Sequence, residues 1–167
     1  MTPAIVIVMG VSGSGKTTVG TLLAARLKWD YEDADGFHPA ANIERMQKGV
    51  ALTDEDRMPW LRAIAAWIDR TREAGGHGVV SCSALKRRYR EILTANRPDV
   101  RLVYLKGDEA LIAGRMAARR GHFMPSSLLR SQFDALEEPA ADENPITVPI
   151  ELPPHEIVAR ILAELKP

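Results

Sequence analysis

An unbroken apolar run, Ala4-Ile-Val-Ile-Val-Met9, leads directly into Gly10-Val-Ser-Gly-Ser-Gly-Lys-Thr17. A run without polar alternation reads as a strand buried on both faces, as in a parallel sheet covered by helices. The eight residues after it match G-x-x-x-x-G-K-[ST], and each part suits a nucleoside triphosphate. Gly10, Gly13 and Gly15 let the backbone approach an anion with no Cβ in the way. The N–H groups around Val11, Ser12, Ser14 and Thr18, at the start of a helix, direct positive partial charge at phosphates. Lys16 has the reach for the β- and γ-phosphates, and the Thr17 hydroxyl suits Mg²⁺. Val19, Leu22, Leu23 and Leu27 then recur at helical spacing, so strand, loop and helix come in the required order.

The 167 residues most simply make one domain, 1–167, with enough chain for a real core. Lys and Arg (22) balance Asp and Glu (22), so no global field favours nucleic acid or an anionic membrane. The lone Cys82 has no internal disulfide partner; it fits a reducing compartment and reads as a small core residue rather than a nucleophile. The first apolar run is too short to span a bilayer and lacks a basic lead-in. A soluble cytoplasmic protein is the expectation.

Further along, His77–Cys82 and Arg101–Leu105 read as strands, with Trp29–Glu32 and Ile146–Ile150 as shorter ones. Helical patterns lie between them at Asn42–Lys48, near Asp56–Glu73, and at Lys86–Ala95, Glu109–Arg119, Ser127–Leu136 and Pro154–Leu165. Alternating strands and helices predict an α/β fold with a parallel sheet covered on both sides. Pro59 complicates the long helix: either it begins close to Asp56, or a turn at Thr53–Arg57 precedes a helix opening at Pro59. Both options put Trp60, Leu61, Ile64, Trp67 and Ile68 on a core face. Glu137–Pro145, rich in Pro and acids, reads as a surface loop.

Three stretches bear on where the phosphoryl group goes. Tyr31-Glu-Asp-Ala-Asp35-Gly36 follows the second strand, and open α/β sheets bind ligands beyond the carboxyl ends of their strands. Asp33 suits Mg²⁺ held through water, and Asp35 suits a substrate hydroxyl proton; a solvated turn is the plain alternative. After the third strand there is no Asp-x-x-Gly, and the chain has no Asn-Lys-x-Asp, which weakens a GTPase switch. Ser81-Cys-Ser-Ala-Leu-Lys-Arg-Arg-Tyr-Arg90 instead offers hydroxyls and cations suited to a polyol or carboxylate, although cations at a helix N-terminus oppose the macrodipole. At least two of these four cations are expected simply to face solvent. Gly114–Phe123 ends a helix in a basic cluster broken by Gly121. That pattern reads either as ordinary C-terminal charge complementarity or as a lid whose arginines close over the triphosphate and exclude water.

Taken together, the phosphate loop, Asp33-Ala-Asp-Gly-Phe-His-Pro39, Asn42-Ile-Glu-Arg-Met46, Leu52-Thr-Asp-Glu-Asp-Arg-Met-Pro-Trp-Leu61, Cys82-Ser-Ala-Leu-Lys86 and Arg119-Arg-Gly-His-Phe123 resemble bacterial gluconokinases. The likeness covers about residues 5–140, and the run from Asp33 to Leu61 is its most specific part. The resemblance implies a P-loop NTPase fold: three layers, α/β/α, around a five-stranded parallel sheet of order 2-3-1-4-5, with a helical lid near 118–136. It implies ATP-dependent phosphorylation of D-gluconate at its terminal hydroxyl, giving 6-phosphogluconate, with Mg²⁺ as cofactor and a homodimer as the assembly. In this reading Lys16, Arg115, Arg119 and Arg120 serve the phosphates. Arg57 occupies the place of the substrate-binding arginine of shikimate kinases, and a guanidinium fork suits a carboxylate. His38, Arg45, Lys86 and His122 are further acceptor-side candidates, with Asp35 at the reacting hydroxyl. Asp142–Pro145 falls where related kinases place a loop against adenine. The rival readings are another small-molecule kinase (of shikimate, adenylylsulfate or a nucleoside monophosphate) and a nucleotide-dependent switch.

Overall fold

The first strand, β1 (Ile5–Met9), is buried at every residue and divides its side chains between two cores. Val6 and Val8 point to one face, while Ile5, Ile7 and Met9 point to the other. That is the period of two expected of a strand, hidden in the sequence because both faces are apolar. The computed structural model describes residues 2–118 and 126–165. Its remaining strands are β2 (Asp30–Asp33), β3 (Gly78–Ser81), β4 (Val100–Lys106) and β5 (Ile146–Pro149). All pairings are parallel, in the order β2-β3-β1-β4-β5, with Ile7 opposite Val80 on one side and Leu102 on the other.

Helices cover both faces. Beside Val6 and Val8 lie α1 (Lys16–Leu27) and the last helix, Pro154–Leu165, which buries Ile157, Val158, Ile161 and Leu165 as its spacing predicts. A short α2 (Ala40–Gln47) follows β2, and the opposite core is closed by α3 (Asp54–Glu73) and α4 (Arg87–Thr94). The chain then runs through α5 (Glu109–Ala118) and α6 (Ser126–Ala135) before that last helix, α7.

The Pro59 question resolves toward the earlier start. Thr53 Oγ1 accepts from Asp56 N at 3.0 Å and Asp56 Oδ2 accepts from Thr53 N at 2.9 Å, a reciprocal cap that opens α3 at Asp54. Pro59 sits inside the helix, where its missing N–H leaves the Glu55 carbonyl without an intrahelical donor. Trp60, Leu61, Ile64 and Ile68 are buried, and Trp67 is half-buried against the same core. Cys82 is buried in that core as well, and burial pushes its thiol pKa up to about 12. Among the described residues, no helix is long and apolar enough to cross a membrane.

The cations at the start of α4 turn out to be paired. Arg87 bonds Glu91 and Asp142, and Arg88 bonds Asp54. Arg90 is only 1% exposed, bonded to Glu143 at 2.6 Å and to the carbonyls of Ala84 and Leu85 at 2.9 and 3.2 Å. Carboxylates from other elements thus offset the unfavourable dipole position. The surface loop expected at 137–145 forms, mostly exposed, and is tied down as a strap: Glu137 N donates to Leu85 O at 2.8 Å, and Glu137 Oε1 accepts from Arg87 N at 2.9 Å.

Removing one member of a buried ion pair leaves the other charge without compensation. Glu143→Ala is expected to destabilise the protein by about 3 kcal/mol, read by urea unfolding, with Glu143→Gln milder. An unchanged midpoint for Glu143→Ala would show that Arg90 does not depend on this partner.

Candidate active site

The carboxyl ends of β1, β2 and β3 lie side by side and deliver the loops of the site. From β1, residues 10–15 wrap toward the first turn of α1. Gly13 and Gly15 adopt φ of 81° and 97°, and a Cβ on Gly13 would come within 2.8 Å of the Met116 side chain. Only glycine combines that backbone with that approach. Lys16 folds back over the loop, its Nζ donating to Gly10 O at 3.0 Å and Val11 O at 3.1 Å. Burial lowers the Lys16 pKa, while the charges of Asp35 and Asp33 pull it back up. Both carboxylates of the Asp-x-Asp segment therefore lie within electrostatic reach of the lysine.

The start of α1 is pinned from the neighbouring strands. Ser81 Oγ donates to Lys16 O at 3.1 Å and accepts from the Tyr31 hydroxyl at 2.8 Å. Gly20 leaves room for both partners: a Cβ there would stand 2.7 Å from Ser81 Oγ and from the Tyr31 ring. The Thr17 and Thr18 side chains are exposed in the first turn. Thr17 and the nearby carboxylates offer hard oxygen donors of the kind Mg²⁺ takes. Among the described residues no cluster of three or more His, Cys, Asp or Glu can hold a metal by itself, so triphosphate oxygens and water would complete such a site.

From β2, Asp33 Oδ1 accepts from Asp35 N at 2.9 Å and caps a short 3₁₀ turn, Ala34–Phe37. The plain reading of this segment as a turn is thus correct for Asp33, and the same turn fixes the position of Asp35. Trp60 Nε1 donates to Ala34 O at 2.7 Å, and the Trp60 ring stacks on His38 at 4.4 Å. Buried Asn42 bridges His38 Nδ1 at 3.2 Å and Asp56 O at 2.8 Å, tying α2 to the start of α3. Burial lowers the His38 pKa; Asp35 opposes this and Arg57 adds to it. Asp35, His38 and Arg57 therefore share one electrostatic neighbourhood.

The candidate cations differ in their partners. Arg45 is ion-paired with Asp56. Lys86 bonds both Asp54 oxygens, at 3.0 and 3.3 Å, and Asp54 also accepts from Arg88 and the Tyr89 hydroxyl. Arg57 is half-buried and donates only to neutral oxygens, Leu52 O at 2.9 Å and Tyr89 OH at 3.2 Å. It forms no ion pair among the described residues. Arg119, Arg120 and His122 lie outside the described residues.

A groove of about 340 Å³ opens beside the phosphate loop, walled by Gly13–Gly15, Thr18, Arg115, Met116 and the 150–154 segment. Arg115 Nη2 donates to Ile150 O at 2.6 Å across its end. The outer wall is therefore the turn after β5, whereas Asp142 and Glu143 are engaged by Arg87 and Arg90. Sequence reasoning missed Tyr31, Asp54, Tyr89 and Gln132, whose partners lie tens of residues away in the chain. Tyr31 and Tyr89 carried a faint signal, as polar aromatics inside motifs already singled out.

With His38 held below its unfolded value of about 6.5, the unfolded chain takes up more protons in acid. Stability from this ring is complete above about pH 6.5 and is lost as the pH falls. An NMR titration of the His38 ring should give a midpoint below 6.5; a midpoint above it would contradict the buried, neutral ring.

Comparison with known proteins agrees with this geometry. The model of the shikimate kinase family matches residues 12–166. The gluconokinase of Gluconobacter oxydans is 44% identical over 96% of this chain and 90% of its own length. The thermosensitive gluconokinase of Escherichia coli is 48% identical over 84% of this chain and 75% of its own length. The crystal structure of a gluconokinase from Sinorhizobium meliloti superposes with a TM-score of 0.89 at 44% identity, covering 98% of this chain and 91% of that one. With this identity sustained over nearly the whole chain, and the phosphate loop and Asp33–Leu61 segment both in place, the chain belongs to the gluconokinase family, within the wider shikimate kinase group.

Proposed function

We propose that this chain transfers the γ-phosphoryl group of ATP to the terminal hydroxyl of D-gluconate, giving 6-phospho-D-gluconate and ADP. Family membership supports the reaction, and one observation carries the acceptor half: Arg57 is a half-buried guanidinium with no ion-pair partner among the described residues. A desolvated, uncompensated cation favours an anionic ligand, and its planar fork suits a carboxylate. Arg45 and Lys86 already hold carboxylates, so their part is to hold α2, α3 and α4 together around the acceptor. His38, neutral and stacked on Trp60, suits hydrogen bonds to the polyol chain.

In the reaction, the terminal hydroxyl oxygen of gluconate bonds to the γ-phosphorus as the bond to the β,γ-bridging oxygen breaks. Asp35 orients that hydroxyl and takes its proton. Lys16 leaves its loop carbonyls for the β- and γ-phosphates, with backbone N–H groups of Gly13 through Thr18 around them. Mg²⁺, held by Thr17 and through water by Asp33, would neutralise charge on the same oxygens. Arg115, Arg119 and Arg120 would close over the nucleotide in a lid near 118–136, with His122 on the acceptor side, all within one domain of 1–167. A homodimer and a cytoplasmic location complete the reading; they rest on the family resemblance and on the unpaired, buried Cys82.

An ADP-release assay across gluconate, other aldonates and shikimate tests the substrate. Gluconate is expected to be turned over fastest, and good turnover of another acceptor without gluconate-dependent release would sink the proposal. Asp35→Ala should lower kcat by about 10³-fold. Arg57→Ala should raise the KM for gluconate by about 10²-fold, with the KM for ATP little changed.

A further inference from the structure

The peptide joining Val11 to Ser12 is held from both sides. Its carbonyl accepts from Lys16 Nζ at 3.1 Å. Its N–H donates to Gln132 Oε1 at 2.7 Å, and Gln132 Nε2 donates back to Ser12 Oγ at 2.8 Å. A primary amide that commits its carbonyl and an N–H to one residue fixes that residue's peptide plane as well as its position. Gln132 reaches the loop from α6, 120 residues away in sequence. This helix forms the fixed end of the lid proposed near 118–136: Leu129 is buried one turn earlier, and Phe133 and Leu136 pack against the core. Just beyond its end, Glu137 N is bonded to Leu85 O.

We propose that Gln132 is a positioning residue of the donor site, holding the phosphate loop in its receiving shape when Lys16 lets go. Three groups hold the loop: the lysine ammonium on its carbonyls, the glutamine amide on Ser12, and the loop's own Ser14 N–H, which donates to Val11 O at 3.2 Å. Nucleotide binding takes the first away, because the ammonium must turn to phosphate oxygens. Gln132 remains, and the Val11–Ser12 peptide keeps its orientation. Hydrogen bonds in series also polarise one another, so acceptance by Gln132 strengthens the Val11 carbonyl as the resting place of Lys16. The net effect on nucleotide affinity is favourable, since without Gln132 the peptide keeps only the turn bond from Ser14 when the lysine leaves, and its Ser12 side must be reordered around the phosphates. The inference rests on the nucleotide half of the function proposed above and is independent of the acceptor.

Calorimetric titration of the full chain with ADP, in the absence of any acceptor, tests it. Gln132→Leu and Gln132→Asn, the second one methylene too short to reach, should each weaken ADP binding about tenfold, equivalent to one or two net hydrogen bonds. Ser12→Ala spares the peptide N–H bond and should weaken binding only about two- to threefold. Combined with Gln132→Leu, it should add nothing, because the Ser12 hydroxyl has then already lost this partner. In turnover, the KM for ATP should rise while kcat at saturating ATP and the KM for the acceptor stay within about twofold. ADP affinity at the wild-type level in whichever Gln132 variant folds would overturn the assignment, as would full additivity with Ser12→Ala. Wild-type protein that fails to bind ADP would instead refute the nucleotide reading itself.

Discussion

Everything at the site hangs on the carboxyl end of β1, where a strand buried on both faces stops and a helix begins seven residues later. The strand is immobilised by apolar packing above and below and by parallel partners on either side. Its last residue is thus a fixed point, and the loop springing from it must satisfy its own polar groups locally. Most are met by Lys16 on its carbonyls, Gln132 on Ser12, and the Ser81–Tyr31 pair on the start of α1, while the buried Ser14 hydroxyl has no protein partner among the described residues. A rigid strand end, a backbone free of side chains at Gly13 and Gly15, and one desolvated ammonium make a receptor for polyphosphate with little left to order on binding.

The cluster around Asp54 and Arg57 is built on a different principle. There, charge is distributed so that most cations are neutralised by carboxylates from a neighbouring element and one is not. Asp54 collects Lys86, Arg88 and the Tyr89 hydroxyl, while Asp56 caps its own helix and holds Arg45. These pairs join α2, α3 and α4 by contacts of modest individual strength. Arg57 sits among them on neutral oxygens alone. The asymmetry is local, and the balanced composition of the whole chain gives no hint of it.

Features encoded by neighbouring residues were legible in the sequence. The alternating α/β layout, the phosphate loop, the core face of α3 and the burial of Cys82 follow from periodicity or contiguous motifs, and the strand order from the family resemblance. Features made by distant residues were not. Nothing near Arg90 in the sequence marked it as buried, because its partners, Glu143 and two carbonyls, are brought to it only by the fold. For the same reason, the surface loop at 137–145 was legible from composition but its tethers to Leu85, Arg87 and Arg90 were not. The groove beside the phosphate loop is walled by 150–154, a segment that carried no motif, while Asp142 and Glu143 in the stretch placed near adenine by resemblance are paired with Arg87 and Arg90.

Arg90 also sets an order of events for a chain made from its amino end. It grips the backbone at Ala84, a non-glycine residue at φ 45°, on the loop leaving β3. Its own counter-ion is Glu143, 53 residues downstream. A left-handed alanine is a strained conformation that persists only when its surroundings enforce it. During synthesis the phosphate-loop segment emerges first, whereas Arg90, which grips the turn after β3, has no counter-ion until the strap has been made. The ion pair behind the turn after β3 is therefore completed late. A nascent chain halted before residue 143 would carry a formed phosphate-binding motif beside an unfinished partner loop.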